Sequence, residues 1–117
     1  FFWGYGQEHG EGRGLGYNLN LPLPRGTGDE VFLKTLDTAL AQVSNFGADV
    51  LVVALGLDAS IDDPFQGFAV TQDGFAAIGA AMTGLKIPVL FVQEGGYLSD
   101  TLGINLTRVL AGYQEAL

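Results

Sequence analysis

The 117-residue sequence contains no cysteine, which excludes disulfides, thiolate catalysis and cysteine-ligated zinc or iron–sulfur sites. Basic residues are scarce as well. Lys and Arg number 5 against 13 Asp and Glu, giving a net charge of -8 and a pI near 4.2. That sign repels phosphate backbones and anionic lipid headgroups, so neither nucleic acid nor a membrane surface is expected as a partner. The single histidine, His9, lies in a glycine-rich polar stretch, which suits a solvated side chain better than a ligand or a base. No apolar run reaches the ~20 residues that a bilayer crossing needs, and no charged leader precedes an apolar segment. We expect a soluble, cytoplasmic protein. The chain opens Phe1-Phe2-Trp3-Gly4 with no initiator methionine and no polar leader, which reads as a start in mid-fold.

What is present is apolar enough to pack. At 48% hydrophobic and a mean hydropathy of +0.29, the chain suits one small domain or one piece of a larger domain, and it is too apolar for disorder. Gly4 to Gly16 alternates glycine with polar residues and has loop composition. Tyr17-Asn18-Leu19-Asn20-Leu21 alternates like a short strand, ended by Pro22 and Pro24. Asp29 and Glu30 suit a helix start, Phe32, Leu36, Ala39, Leu40 and Val43 form its apolar stripe, and Gly47 suits its stop. Asp49 to Leu55 reads as a strand buried on both faces. Thr71 can cap a second helix over Gln72 to Leu85, with Phe75, Ile78, Ala81 and Met82 as its core stripe. Pro88 to Val92 is a further buried strand, and Ser99 or Asp100 can cap a last helix carrying Leu102, Leu106, Val109, Leu110 and Tyr113. The order β-α-β-α-β-α predicts parallel strands with right-handed crossovers in a three-layer α/β/α fold. Three strands make a narrow sheet, so more strands from other sequence are expected, and an exposed sheet edge favours self-association into a homo-oligomer.

Two strand ends carry the chemistry. Gly56-Leu57-Asp58 closes one apolar run and Glu94-Gly95-Gly96-Tyr97 closes the next. In an open parallel sheet the carboxyl ends of the strands form the rim where ligands bind, so a carboxylate and a phenol could converge there. A carboxylate can hold a cation, and a phenol can donate a hydrogen bond to developing negative charge. The plainer readings are a turn aspartate holding backbone N–H groups and a tyrosine sealing a strand-to-helix turn. Asp62 and Asp63-Pro64 look like turn residues, and Glu94 suits a structural carboxylate better than a general base. Gly12, Gly14 and Gly16 precede a strand instead of following one, so they do not make a dinucleotide fingerprint. One convincing ligand, Asp58, is an incomplete zinc site.

Taken together, these residues resemble the carboxyl-terminal portion of the histone deacetylase superfamily, which includes acetylpolyamine amidohydrolases and acetoin-utilisation proteins. Phe1-Phe2-Trp3-Gly4-Tyr5-Gly6 is similar to the family's Phe-Phe-Pro-Gly-Thr-Gly stretch. Tyr17-Asn18-Leu19-Asn20-Leu21-Pro22-Leu23 is similar to its Asn-Val-Pro-Leu strand, and Leu55 to Asp58, Asp63-Pro64, Thr71 and Glu94 to Tyr97 follow in order. The Glu-Gly-Gly-Tyr form looks closer to class II-like and bacterial members. Gly103-Ile104-Asn105-Leu106 and Val109-Leu110-Ala111-Gly112 resemble acetylpolyamine amidohydrolases in particular.

The resemblance implies an arginase/deacetylase-like fold of which residues 1–117 are the carboxyl-terminal part. It implies zinc-assisted removal of acetyl groups from acetyl-lysine or small acetylated amines such as polyamines. Asp58 matches a zinc ligand, Tyr97 the phenol that polarises the scissile carbonyl, and the main-chain carbonyl of Tyr17 a ligand of a structural potassium. Phe2, Phe65, Gly95 and Gly96 match the substrate channel. Phe65 lacks the gatekeeping carboxylate of one polyamine-selective branch, which argues mildly against that branch, and Trp3 departs from the usual proline. The family's histidine pair and Asp-x-His ligands fall outside this sequence, so the isolated chain is expected to be inactive. Alternatives from other classes are a non-catalytic ligand-binding protein on the same fold and a free-standing nucleotide-binding module.

Overall fold

The structure is a computed structural model, and it describes residues 4–117. Three helices pack on one side of two parallel strands: α1 (Asp29–Phe46), β1 (Leu51–Leu55), α2 (Gln72–Met82), β2 (Val89–Gln93) and α3 (Leu102–Glu115), in that order. The α/β class and the parallel strands are as expected. β1 and β2 pair in register from Leu51 opposite Val89 to Leu55 opposite Gln93. Pairing runs on past the strands, because Glu94 N–H donates to the Leu55 carbonyl at 3.0 Å and Leu57 N–H to the Gly95 carbonyl at 3.4 Å. These two bonds fix the two strand-end loops side by side.

The core is built by Leu55, Leu57, Val70, Phe75, Ile78, Met82 and Val109, with Phe32, Leu36 and Leu40 of α1 against it. Thr71 caps α2 as expected, its hydroxyl oxygen accepting from Gly74 N–H at 3.1 Å, and Gly47 ends α1 in the left-handed region at φ 73°. α2 and α3 approach at their glycines. A methyl on Gly79 would land on the Val109 carbonyl, and one on Gly112 on the Ala76 carbonyl, so backbone meets backbone at this crossing.

Several expectations are corrected. Tyr17 to Leu21 forms no strand, and the sheet has two strands among the described residues. Its polar residues are spent locally: Asn20 donates through Nδ2 to the Tyr5 carbonyl and to Glu8, and Asn18 to the Glu8 carbonyl, which ties the segment to the preceding loop instead of to a ladder. The strands are also not buried on both faces. Leu51, Val53, Val89 and Phe91 turn to the core, whereas Val52, Leu90 and Val92 are 61%, 55% and 43% exposed. Strand alternation sends every second side chain to the face that no described helix covers. The second helix gives way to a 3-10 turn at Thr83–Leu85. α3 starts after Thr101 with no side-chain cap, and on its inner face stands Asn105, 1% exposed, while Leu110 is 47% exposed.

Candidate active site

Asp58 sits in a 3-10 turn, Leu57–Ala59, that begins two residues after β1. Its neighbours Leu57 and Ala59 face the core, so the turn is anchored on both sides and the aspartate is left at the rim. Two glycines make room for its carboxylate. A Cβ on Gly95 would stand 3.0 Å from both Asp58 oxygens, and one on Gly56 would stand 2.6 Å from Oδ1. Gly95 and Gly96 hold φ of 92° and 109°, the left-handed side that glycine adopts without penalty, and this turns the chain sharply enough to bring Tyr97 back toward β1. Among the described residues the Asp58 carboxylate accepts no hydrogen bond. The reading of Asp58 as an aspartate holding its own turn's amides therefore finds no support in the geometry.

Asp58 and Tyr97 line one cavity of about 770 Å³, together with Phe32, Asp63, Phe65 and Phe68. The wall is largely aromatic. Phe65 meets Tyr97 edge to face at 4.8 Å between centroids, and Phe32 meets Phe68 in the same manner at 5.7 Å. Asp63 is buried, and its carboxylate accepts the Phe65 N–H at 2.9 Å, so it is a turn residue as read from the sequence. In the sequence Phe32 reads as part of the α1 apolar stripe and Phe68 carries no signal, yet both line the cavity. Their spacing of 36 positions carries no local signal; long-range links such as the bridge of Gly28 with Ala69 and the Ala69 N–H to Thr27 carbonyl bond bring the two segments together.

The remaining candidates lie elsewhere. Tyr17 faces a separate crevice of about 630 Å³ against the end of α1, its ring edge-on to Phe46 at 5.8 Å. Its main-chain carbonyl accepts no hydrogen bond among the described residues. His9 is exposed in the amino-terminal loop, beside Glu8 and Glu11, and not at the rim. Phe2 lies outside the described residues. Among the described residues no three His, Asp or Glu side chains gather as a metal site, so Asp58 stands as a single potential ligand.

Asp58 and Tyr97 thus line one cavity beyond the carboxyl ends of two adjacent parallel strands, the rim where open α/β sheets bind ligands. The histone deacetylase domain model matches residues 2–113, and the chain belongs to that family. It is 38% identical over 116 residues to acetylpolyamine amidohydrolase 1 of Pseudomonas aeruginosa, covering 99% of this chain and 34% of that protein. It is 42% identical over 93 residues to histone deacetylase 8 of Arabidopsis thaliana, covering 74% of this chain and 25% of that one. Among solved structures, the acetylpolyamine aminohydrolase of Burkholderia pseudomallei superposes with a TM-score of 0.91 at 40% identity, over 97% of this chain and 33% of that one. The chain thus spans about a quarter to a third of the length of these relatives.

Proposed function

We propose that this chain supplies one wall and two working groups of a zinc-dependent amide hydrolase that removes acetyl groups from acetylated polyamines or acetyl-lysine. The observation that carries the reading is the shared cavity. Asp58 and Tyr97 open into one aromatic-lined space, and the Asp58 carboxylate has no hydrogen-bond donor of its own among the described residues.

The residues fit a metal in part. A carboxylate left without donors, in a cradle that a Cβ at Gly95 would fill, is what a cation ligand needs. One ligand does not make a site, so further ligands, and the histidines that move protons, would come from the portion of the domain beyond this chain. Asp58 with those ligands would hold a zinc ion, which when bound would supply Lewis acidity at the site. Tyr97 donates its phenolic hydrogen to the amide oxygen as negative charge builds there. The Phe65 ring keeps the phenol in place, and the aromatic wall excludes water and accepts an apolar acyl or methylene chain. The Tyr17 carbonyl, which accepts no hydrogen bond among the described residues, suits a structural potassium remote from the reaction.

Likeness to acetylpolyamine amidohydrolases favours a small acetylated amine as substrate. The strongly acidic chain would attract such a cation. The test is zinc content and deacetylation of an N-acetylated diamine by the full-length protein and its Asp58→Ala variant. The variant should lose both. A variant that keeps its zinc and its activity would overturn the reading.

A further inference from the structure

We infer that Arg25 is a positioning residue for Tyr97, acting through Phe65. The inference rests on the deacetylase reading of Tyr97. Phe65 is 63% exposed, so burial alone does not hold its ring. Its backbone is instead gripped from both sides. Asp63 Oδ1 accepts the Phe65 N–H at 2.9 Å, and Arg25 Nη2 donates to the Phe65 carbonyl at 2.8 Å from 40 residues away.

The grip is reinforced on each flank. Gln66 N–H donates to the Asp63 carbonyl at 3.0 Å, and Gly26 N–H to the Gly67 carbonyl at 2.9 Å, so the loop bearing Arg25 is stitched to the loop bearing Phe65. Gln66, between these bonds, sits at φ 51°, a left-handed conformation that a non-glycine residue keeps only where its surroundings impose it. The product is a fixed Phe65 ring, edge-on to Tyr97 at 4.8 Å and 76°. Tyr97 needs such a stop. It follows two glycines, is 44% exposed, and its hydroxyl has no hydrogen bond among the described residues. A charge-assisted bond from Arg25 is thereby converted into a fixed direction for a phenol that Arg25 is not observed to contact.

The experiment measures kcat and KM of the full-length zinc-loaded protein carrying Arg25→Met, Arg25→Lys or Tyr97→Phe, and of the Arg25→Met/Tyr97→Phe pair. Arg25 is exposed, and thermal melting of each variant checks that it folds. Arg25→Met should lower kcat about five- to tenfold, the size of one ordinary net hydrogen bond, with KM shifting less. Arg25→Lys should recover most of the loss, since an ammonium can still donate to the carbonyl. In the Tyr97→Phe background, Arg25→Met should leave the residual kcat unchanged, which a merely structural role would not produce. A wild-type kcat for Arg25→Met, or the same fold-loss in both backgrounds, would overturn the inference. A wild-type kcat for Tyr97→Phe would instead bring down the deacetylase reading, and this inference with it.

Discussion

Asp29 and Thr71 are joined by two hydrogen bonds across 42 residues: Thr71 N–H donates to Asp29 Oδ1 at 2.8 Å, and the Thr71 hydroxyl to Oδ2 at 2.6 Å. The carboxylate at the start of α1 thus holds the residue that caps α2. Gly74 follows closely, because a methyl there would run into the same carboxylate. One acidic side chain locks the starts of two helices together beneath the loop that carries Phe65 and Phe68.

Removing that lock should be costly. We expect Asp29→Ala to destabilise the full-length protein by about 2 kcal/mol, from two bonds to a charged acceptor and a weakened cap. Urea unfolding gives the figure, and an unchanged midpoint would mean that the pair contributes nothing net.

Tyr97→Phe removes one oxygen and leaves the ring against Phe65. We expect kcat for an acetylated diamine to fall by roughly 10²-fold or more, as for loss of an oxyanion donor. KM should move little, and the melting temperature should stay put.

At Gly95 both backbone and carboxylate resist a side chain. Alanine there must hold φ near 92° and bring a methyl to 3.0 Å from both oxygens of Asp58. Gly95→Ala should weaken zinc retention in the full-length protein by about tenfold or more, consistent with losses from disturbing a ligand's surroundings. Chelator competition measures it, and wild-type retention would show that Asp58 is not a ligand.

The helix crossing gives a test independent of function. Gly79→Ala places a methyl on the Val109 carbonyl, and Gly112→Ala one on the Ala76 carbonyl. Each should cost about 1–3 kcal/mol through forced separation of α2 from α3, and together they should be less than additive because one shift relieves both. Thermal unfolding of the single and double variants decides it.

Much of this was legible in the chain. Helix stripes at three- and four-residue spacing gave the three helices, Thr71 and Gly47 fell at their expected termini, and two β-branched runs gave the parallel pair. Asp58 and Tyr97 stood out because strand ends in a parallel sheet share a rim, and both residues line one cavity. The Tyr17 to Leu21 strand failed because alternation describes a side-chain pattern and not the presence of a neighbour to pair with. The long-range contacts of Arg25, Asp29 and Asn105 were not legible, for a common reason. Their partners Phe65, Thr71 and Ser60 lie 40 to 45 residues away, and no short-range spacing encodes such contacts. Asn105 was moreover hidden inside an apolar stripe, where its Nδ2 donates to Ser60 Oγ at 3.0 Å.

The outward sides of the two strands bear on how this polypeptide would fare in a cell. A ribbon of valine and leucine left open to water is what holdase chaperones grasp and what quality-control proteases are steered toward. Synthesised without the rest of a domain to blanket that ribbon, the chain would be a short-lived client of proteostasis, and its abundance would track how quickly something greasy settles over Val52, Leu90 and Val92.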